Sequence, residues 1–287
     1  MNNDLFFSVC TEVTNRSSTI IDTIKSIEKQ IFKNYEYIIY ENCSDDNSLE
    51  IIKSHIQQSP IREKIKLIPG QMRKKDIESW NMPLKYAEAT YIAVCEGDDM
   101  FDENHLENLH YILSNNLKIG ILVSLRTDDS GLSNYSHLGY DRTLNSRKMK
   151  QSLIGFDFCP APSEACFLRV NPATKESFFY DEENLVYAGE YSIYESIISS
   201  GLDCYISSKR SIERGLSEYR KGYFHIKDAY FCRQTWMKLY KNDQFLKVSE
   251  KLFKKSFSIL LSQIPSLKLE GKLLNHLKEE FSNVRKL

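Results

Sequence analysis

Short apolar runs alternate with stretches of helical spacing along the N-terminal half of the chain. Five of these runs predict buried strands: they are Leu5–Cys10, Tyr35–Tyr40, Ile65–Ile68, Tyr91–Cys95 and Ile119–Leu125. Between them, apolar residues recur at every third or fourth position and predict helices over 20–31, 49–56, 76–88 and 104–115. Strands that alternate with helices across short loops indicate βαβ units and a largely parallel sheet.

The rest of the chain is less regular. Residues 127–165 show no clear period and predict a long, irregular loop. Helical spacing returns over 188–200, a short strand is predicted at 203–207, and from about Tyr223 the pattern is helical. We therefore expect an α/β domain over residues 1–222 and a helical region over residues 223–287.

Polar side chains follow three of the predicted strands. Thr11 and Glu12 follow the first, Glu41 and Asn42 the second, and an acidic run follows the fourth. Because right-handed crossovers place the carboxyl ends of parallel strands at one edge of the sheet, we expect these side chains to converge. Open α/β sheets bind their ligands at that edge.

The acidic run Glu96-Gly97-Asp98-Asp99 carries three carboxylates within four residues. Hard oxygen ligands of this kind suit Mg²⁺ or Mn²⁺ bound together with a phosphate-bearing substrate. The alternative is a strand that ends in a solvated acidic turn.

Composition narrows the class of protein. The chain has 287 residues and seven scattered cysteines without a C-x-x-C pair, which favours reduced thiols over a disulfide framework or a zinc site. No N-terminal stretch has the form of a secretory signal, and no apolar run is long enough to span a bilayer. We expect a cytoplasmic protein.

The net charge of −1 conceals an asymmetry. From Lys209 onward there are 18 basic and 8 acidic residues, a net of +10, whereas the preceding part has 20 basic and 31 acidic residues. The basic C-terminal segment could contact anionic lipid at the inner face of the membrane, or a nucleotide diphosphate. It could equally be a solvated helical face, and its apolar positions could form a core or a homodimer seam.

Four motifs, each at a strand–helix junction, occur in the order typical of one enzyme family. They are Thr11–Asn15, Tyr40–Ser48, the stretch from Trp80-Asn81 through Ala87–Ile92, and Glu96–Asp99. With these motifs, residues 5–220 resemble the family 2 glycosyltransferases of GT-A fold. The chain departs from the family pattern where Glu41 and Glu96 replace Asp, and where Cys43 and Ala89 replace Gly.

The resemblance implies a Rossmann-like, mainly parallel sheet flanked by helices. It also implies metal-dependent transfer of a sugar, with inversion, from a UDP-, GDP- or dTDP-linked donor to a hydroxyl of a saccharide or lipid-linked acceptor. Bacterial surface polysaccharide or glycoconjugate synthesis is the expected setting, without nucleic acid as a partner.

The same resemblance implies roles for individual residues. Asp98 is expected to contact the ribose or the Mn²⁺ or Mg²⁺ ion, and Asp99 to bind the ion directly. The expected nucleotide-sugar contacts are Thr11, Glu12, Glu41, Asn42, Arg73, Asp98 and Arg214. Glu190, near the start of a predicted helix, is the expected catalytic base, with Asp181 in reserve.

Each role has a structural alternative. Asn42 could cap the following helix, the residues around Arg73 could form a basic solvated loop, and Glu190 could stabilise a helix N-terminus. Two other functions also remain open. One is a catalytically silent module that kept the fold, and the other is a sugar-1-phosphate nucleotidyltransferase, although 11–18 lack the glycine-rich loop which that class needs.

Overall fold

The computed structural model describes residues 5–127, 138–154, 160–182 and 189–214. The predicted C-terminal helical region lies outside these residues, and the boundary at 222 stays a prediction. Among the described helices, none combines the length and the apolar character that crossing a bilayer requires.

The described residues form one sheet with helices packed against it. Its strands are β1 (Phe7–Val13), β2 (Tyr35–Glu41), β3 (Ile65–Pro69), β4 (Tyr91–Val94), β5 (Asp99–Phe101), β6 (Ile119–Arg126), β7 (Arg142–Leu144), β8 (Ala165–Leu168) and β9 (Asp203–Arg214). The helices are α1 (Ile20–Glu28), α2 (Ser48–Gln58), α3 (Asp76–Lys85), α4 (His105–Ser114), α5 (Ser146–Ile154) and α6 (Gly189–Ser199).

The strand order is β3-β2-β1-β4-β8-β6-β9-β5, with β7 paired to β9. The four strands β3, β2, β1 and β4 are mutually parallel, as predicted from the βαβ pattern. Beyond β4 the sheet is mixed, because β8, β5 and β7 run antiparallel to their neighbours while β6 and β9 are parallel. The predicted α/β class is confirmed.

Residues on β1 show how the strands divide the interior into two cores. Successive side chains of a strand point to opposite faces of its sheet. Val9 and Val13 accordingly pack in the core that holds α1, whereas Cys10 packs on the other face with α3 and α6. The apolar runs of the sequence are thus explained by burial on both faces.

The prediction of an irregular loop over 127–165 is wrong in part. Its described portion contains β7, α5 and a 3₁₀ turn at Pro162–Glu164. The short strand β5 has no apolar run of its own, the four-residue apolar run of β8 was not predicted as a strand, and β9 extends over twelve residues where five were predicted. Pairing with neighbouring strands, which periodicity does not report, defines these elements.

The carboxyl ends of β1, β2 and β4 meet, as expected from their parallel order. The backbone N–H of Asn42 donates to the carbonyl of Val13 at 2.8 Å, and that of Cys95 donates to Cys10 at 3.0 Å. The loops that follow these strands therefore surround a common space.

Candidate active site

A cavity of about 510 Å³ opens at this edge of the sheet. Its polar wall includes Glu12, Thr14, Asn15, Arg16, Asn42 and Arg73. Its apolar wall includes Trp80, Pro83, Leu84, Pro162 and Tyr180. A volume of this size, with an apolar side and convergent polar groups, is typical of a small-molecule site.

Strand alternation divides the predicted nucleotide contacts into two groups. Glu12 and Asn42 line the cavity, whereas Thr11 and Glu41 do not. The Thr11 hydroxyl is fully buried and donates to the Cys95 carbonyl at 2.7 Å, and the Glu41 carboxylate accepts the Ser44 N–H at 2.6 Å. Adjacent residues of a strand face opposite sides, so Thr11 and Glu41 support the loops from behind.

A chain of hydrogen bonds connects Asn42 to Glu12. The Asn42 side chain accepts the Lys74 N–H at 2.7 Å and donates to the Thr14 hydroxyl at 3.0 Å. Thr14 in turn donates to the Glu12 carboxylate at 2.5 Å. The chain holds two polar side chains in fixed orientations on the cavity wall.

The environment of Glu12 disfavours its charge. Burial raises the pKa of this carboxyl from 4.5 to about 6, and is opposed by the hydrogen bond from Thr14 and the charge of Arg16. A carboxyl with a raised pKa in a cavity is a frequent property of functional sites.

Arg73 crosses the mouth of the cavity. Its guanidinium contacts the Asp45 carboxylate at 2.7 Å and donates to the Asn15 side chain at 3.3 Å. Asn15 also accepts the Asp45 N–H at 2.8 Å. The loops after β1, β2 and β3 are joined in this way, and the cation predicted to contact the nucleotide lies at their common rim.

The acidic run divides between the cavity and the protein interior. Glu96 and Gly97 line the cavity. Asp98 is 3% exposed, and its carboxylate lies 3.7 Å from the Arg16 guanidinium. Asp99 is 2% exposed and begins β5, where it pairs in register with Arg214 of β9. The backbone of Arg214, a predicted diphosphate contact, is thereby placed beside the acidic run.

Asp99 is bound by an arginine that the sequence analysis did not select. Arg126, the last residue of β6, contacts the Asp99 carboxylate at 3.2 Å and donates to Glu164 at 3.0 Å. Burial and the charge of Glu96 raise the pKa of Asp99, while Arg126 opposes the rise. The Asp99 carboxylate is thus paired with Arg126, and its expected role as an ion ligand stays a prediction.

The donor set accommodates a divalent cation only together with a substrate. In the described part of the chain, no group of three or more His, Cys, Asp or Glu side chains could hold a metal ion. Mg²⁺, however, is commonly bound by one or two carboxylates plus substrate phosphates. Four carboxyl groups (Glu96, Asp98, Asp99 and Glu164) meet two guanidinium groups (Arg16 and Arg126) here, so the acids outnumber the cations. Asp98 and Glu96 fit that role.

Asp181 follows Tyr180, a residue of the cavity wall, and Glu190 lies at the start of α6. Asn81 of α3 accepts the Tyr180 N–H at 2.9 Å and donates to the Tyr180 carbonyl at 2.8 Å, which fixes the backbone beside Asp181. The Asp181 N–H donates to the Ser192 hydroxyl of α6 at 2.9 Å. Glu190 is the second residue of α6.

Tyr180 connects this end of the cavity to the acidic run. Its pKa is raised well above 10 by burial first, and then by the charges of Glu190 and Glu96. Both carboxylates therefore act on the same phenol, and Tyr180 itself lines the cavity. Of these two carboxylates, Glu96 lines the cavity as well.

Three residues of the site, Arg126, Arg16 and Tyr180, were not among the residues predicted from the sequence. Arg126 is a single cation at the end of the buried strand Ile119–Arg126, and an isolated charge in that position indicates a buried partner. Arg16 and Tyr180 had no comparable signal, because their place at the cavity depends on chain segments far apart in sequence.

The strand order and the family match together identify the class to which the chain belongs. The chain belongs to glycosyl transferase family 2, whose family model matches residues 8–171. One relative is UDP-Glc:alpha-D-GlcNAc-diphosphoundecaprenol beta-1,3-glucosyltransferase WfgD of Escherichia coli. It is 31% identical over 115 residues, and the match covers 40% of this chain but only 44% of WfgD.

Solved structures confirm the fold. TarS of S. aureus, in complex with UDP-GlcNAc, has a TM-score of 0.69 at 14% identity over 97% of this chain and 81% of that one. The mannosyltransferase PcManGT of Pyrobaculum calidifontis, in complex with GDP-Man and Mn²⁺, has a TM-score of 0.63 at 12% identity over 98% and 82%.

Proposed function

We propose that this protein transfers a sugar, with inversion, from a nucleotide-diphosphate donor to a hydroxyl of a saccharide or lipid-linked acceptor. The observation that carries the proposal is the cavity at the strand ends, which joins a polar wall that includes Glu12 and Asn42 to an apolar wall that includes Trp80 and Tyr180. WfgD acts on a diphosphoundecaprenol-linked GlcNAc, and we infer the same class of acceptor here, in bacterial surface polysaccharide synthesis.

The nucleoside binds against the polar wall. Glu12 and Asn42 offer carboxylate and amide groups to the base or the ribose, and Arg73 supplies a cation at the rim. Thr11 and Glu41 do not line the cavity, and their hydrogen bonds hold the backbones of the loops that form it. Arg214, beside Asp99 in the sheet register, is the candidate for the diphosphate.

Glu190 is the proposed catalytic base, and Asp181 is the reserve. The base takes the proton of the acceptor hydroxyl while the acceptor oxygen bonds to the anomeric carbon. The bond from that carbon to the diphosphate oxygen breaks on the opposite face, which inverts the configuration and releases a nucleoside diphosphate. The Asn81 bonds to Tyr180 favour this arrangement, because they fix the backbone of Tyr180, next to Asp181, at the cavity wall.

Mn²⁺ or Mg²⁺ is the proposed cofactor, and Asp98 with Glu96 would hold it. A bound cation neutralises negative charge on a leaving diphosphate. The chain's own part is to present these two carboxylates beside the cavity with a local excess of negative charge.

Transfer should be measured with UDP-, GDP- and dTDP-sugars and a diphosphoundecaprenol-linked acceptor, with Mn²⁺ present. Glu190→Gln and Asp181→Asn are matched variants, since each removes one charge and keeps its size. We expect one donor to react, and Glu190→Gln to lower kcat by about a hundredfold or more with little change in the donor KM.

The other candidate functions have distinct results in the same assay. A silent module would bind a nucleotide without turnover. A nucleotidyltransferase would release pyrophosphate in place of a nucleoside diphosphate. If Asp181→Asn abolishes turnover and Glu190→Gln leaves it intact, the base assignment moves to Asp181.

A further inference from the structure

A buried ion cluster joins three segments behind the cavity. Arg126, 3% exposed, directs its Nε to Glu164 at 3.0 Å and its Nη2 to Asp99 at 3.2 Å. The same Nη2 lies 4.0 Å from the Glu96 carboxylate. The end of β6 is thereby connected both to the acidic run after β4 and to the turn Pro162–Glu164.

A second set of bonds connects the turn to the acidic run independently of Arg126. The Glu96 N–H donates to the Ser163 hydroxyl at 2.9 Å. The other oxygen of Glu164 accepts the Ala161 N–H at 2.9 Å, so both carboxylate oxygens of this residue are occupied. Glu96 and Pro162, the cavity-facing members of the two segments, are held in register with each other.

Because Arg126 is buried, its charge must be compensated by neighbouring carboxylates. A buried guanidinium requires paired carboxylates, and removal of one partner weakens the compensation of its charge. Asp99, itself 2% exposed, supplies that partner from within β5. An ion that bound Asp99 would compete with Arg126 for the charge of this carboxylate, whereas Asp98 faces an arginine only at 3.7 Å.

We propose that Arg126 is a positioning residue that locks the acidic run 96–99 against the turn Pro162–Glu164 and keeps Asp99 out of cation binding. Asp98 and Glu96 remain as the carboxylates presented to the donor diphosphate. This inference rests on the proposed function for its consequence, but the lock itself is a property of the protein without any ligand.

The lock predicts a specific pattern of hydrogen–deuterium exchange in the metal-free protein. Arg126→Met should speed exchange in 96–101 and in 160–164 together, and Arg126→Lys, which keeps the charge, should do so less. Ser163→Ala, which leaves the buried charges intact, serves if Arg126→Met does not fold. It should loosen 96–97 and 162–164. Faster exchange confined to β6 would overturn the proposal.

Measurements of Mn²⁺ affinity can distinguish the roles of Asp98 and Asp99. Mn²⁺ affinity should be measured by electron paramagnetic resonance, with Mn²⁺ alone and with UDP or GDP. We expect Asp98→Asn to weaken binding by about tenfold or more, and Asp99→Asn to weaken it less while lowering the Tm of the metal-free protein. An equal loss of Mn²⁺ affinity in both variants would refute the exclusion of Asp99.

The values of kcat and donor KM distinguish a positioning role of Arg126 from a purely structural one. Arg126→Lys should recover part of the kcat lost in Arg126→Met at a similar donor KM, whereas equal losses in both would count against the proposal. If the unmodified protein binds no nucleotide and no Mn²⁺, the proposed function fails. Exchange in the two segments still decides whether the lock exists.

Discussion

Replacement of Glu12 by Gln should make the protein more stable at neutral and alkaline pH. Glu12 lies on the cavity wall, where burial raises its pKa from 4.5 to about 6. Gln keeps the size of the side chain and an oxygen that can accept the Thr14 hydroxyl, now at 2.5 Å from the carboxylate. Only the charge is lost.

The magnitude follows from the pKa difference. One pKa unit corresponds to about 1.4 kcal/mol, so the rise from 4.5 to about 6 corresponds to roughly 2 kcal/mol in the free energy of unfolding. Because the folded state holds the proton more tightly, Glu12's contribution is fully present below pH 4.5 and is lost as the pH rises through 6. The Gln variant has no such loss. Its advantage should therefore approach roughly 2 kcal/mol at pH 8 and shrink towards pH 4.5.

Urea unfolding at several pH values between 4.5 and 8 measures this difference, with similar m-values required for the comparison. Glu36→Gln is the matched control. The Glu36 carboxylate is also buried, but hydrogen bonds from Lys66, Ser8 and the Glu88 N–H outweigh burial and lower its pKa. That variant should be less stable at neutral pH, and the deficit should fade in acid. A Glu12→Gln variant whose stability difference is independent of pH would refute the reasoning.

Two further substitutions test the division between supporting and cavity-facing residues. Thr11→Val removes the hydroxyl that donates to the Cys95 carbonyl. It should cost about 1–2 kcal/mol in urea unfolding and leave the nucleotide dissociation constant unchanged, and a large loss of affinity would contradict the supporting role. Gly97→Ala would place a Cβ 3.2 Å from both Arg16 Cγ and the Glu12 carbonyl. It should weaken nucleotide binding in a calorimetric titration through displacement of Arg16, and unchanged affinity would show that the loop absorbs the methyl group.

The strand ends illustrate what a sequence pattern conveys about a site. Thr11 and Glu12 in β1, and Glu41 and Asn42 at the end of β2, were all predicted to contact the nucleotide, yet only the second residue of each pair lines the cavity. Because β1 continues to Val13 rather than ending at Cys10, Thr11 and Glu12 are neighbours on a strand and face opposite sides. The face itself could not be chosen from the sequence, since both cores are apolar.

The acidic run was found from the sequence, but the partner of Asp99 was not. Arg126 is 27 residues away along the chain, and Glu164, its other partner, is a further 38. No local pattern connects them, because the strand order β4-β8-β6 places them together. The hydrogen bonds of Asn81 with Tyr180 span 99 residues and were equally inaccessible.

The sequence by itself determined the α/β class, the order of the N-terminal strands and helices, and the edge of the sheet where the site lies. These follow from hydrophobic periodicity and right-handed crossovers, which act within one βαβ unit. Tertiary structure alone decided which side chain of each adjacent pair faces the cavity, and which acid Arg126 neutralises. The physical reason is that burial and charge pairing depend on segments that meet only when the whole sheet has formed.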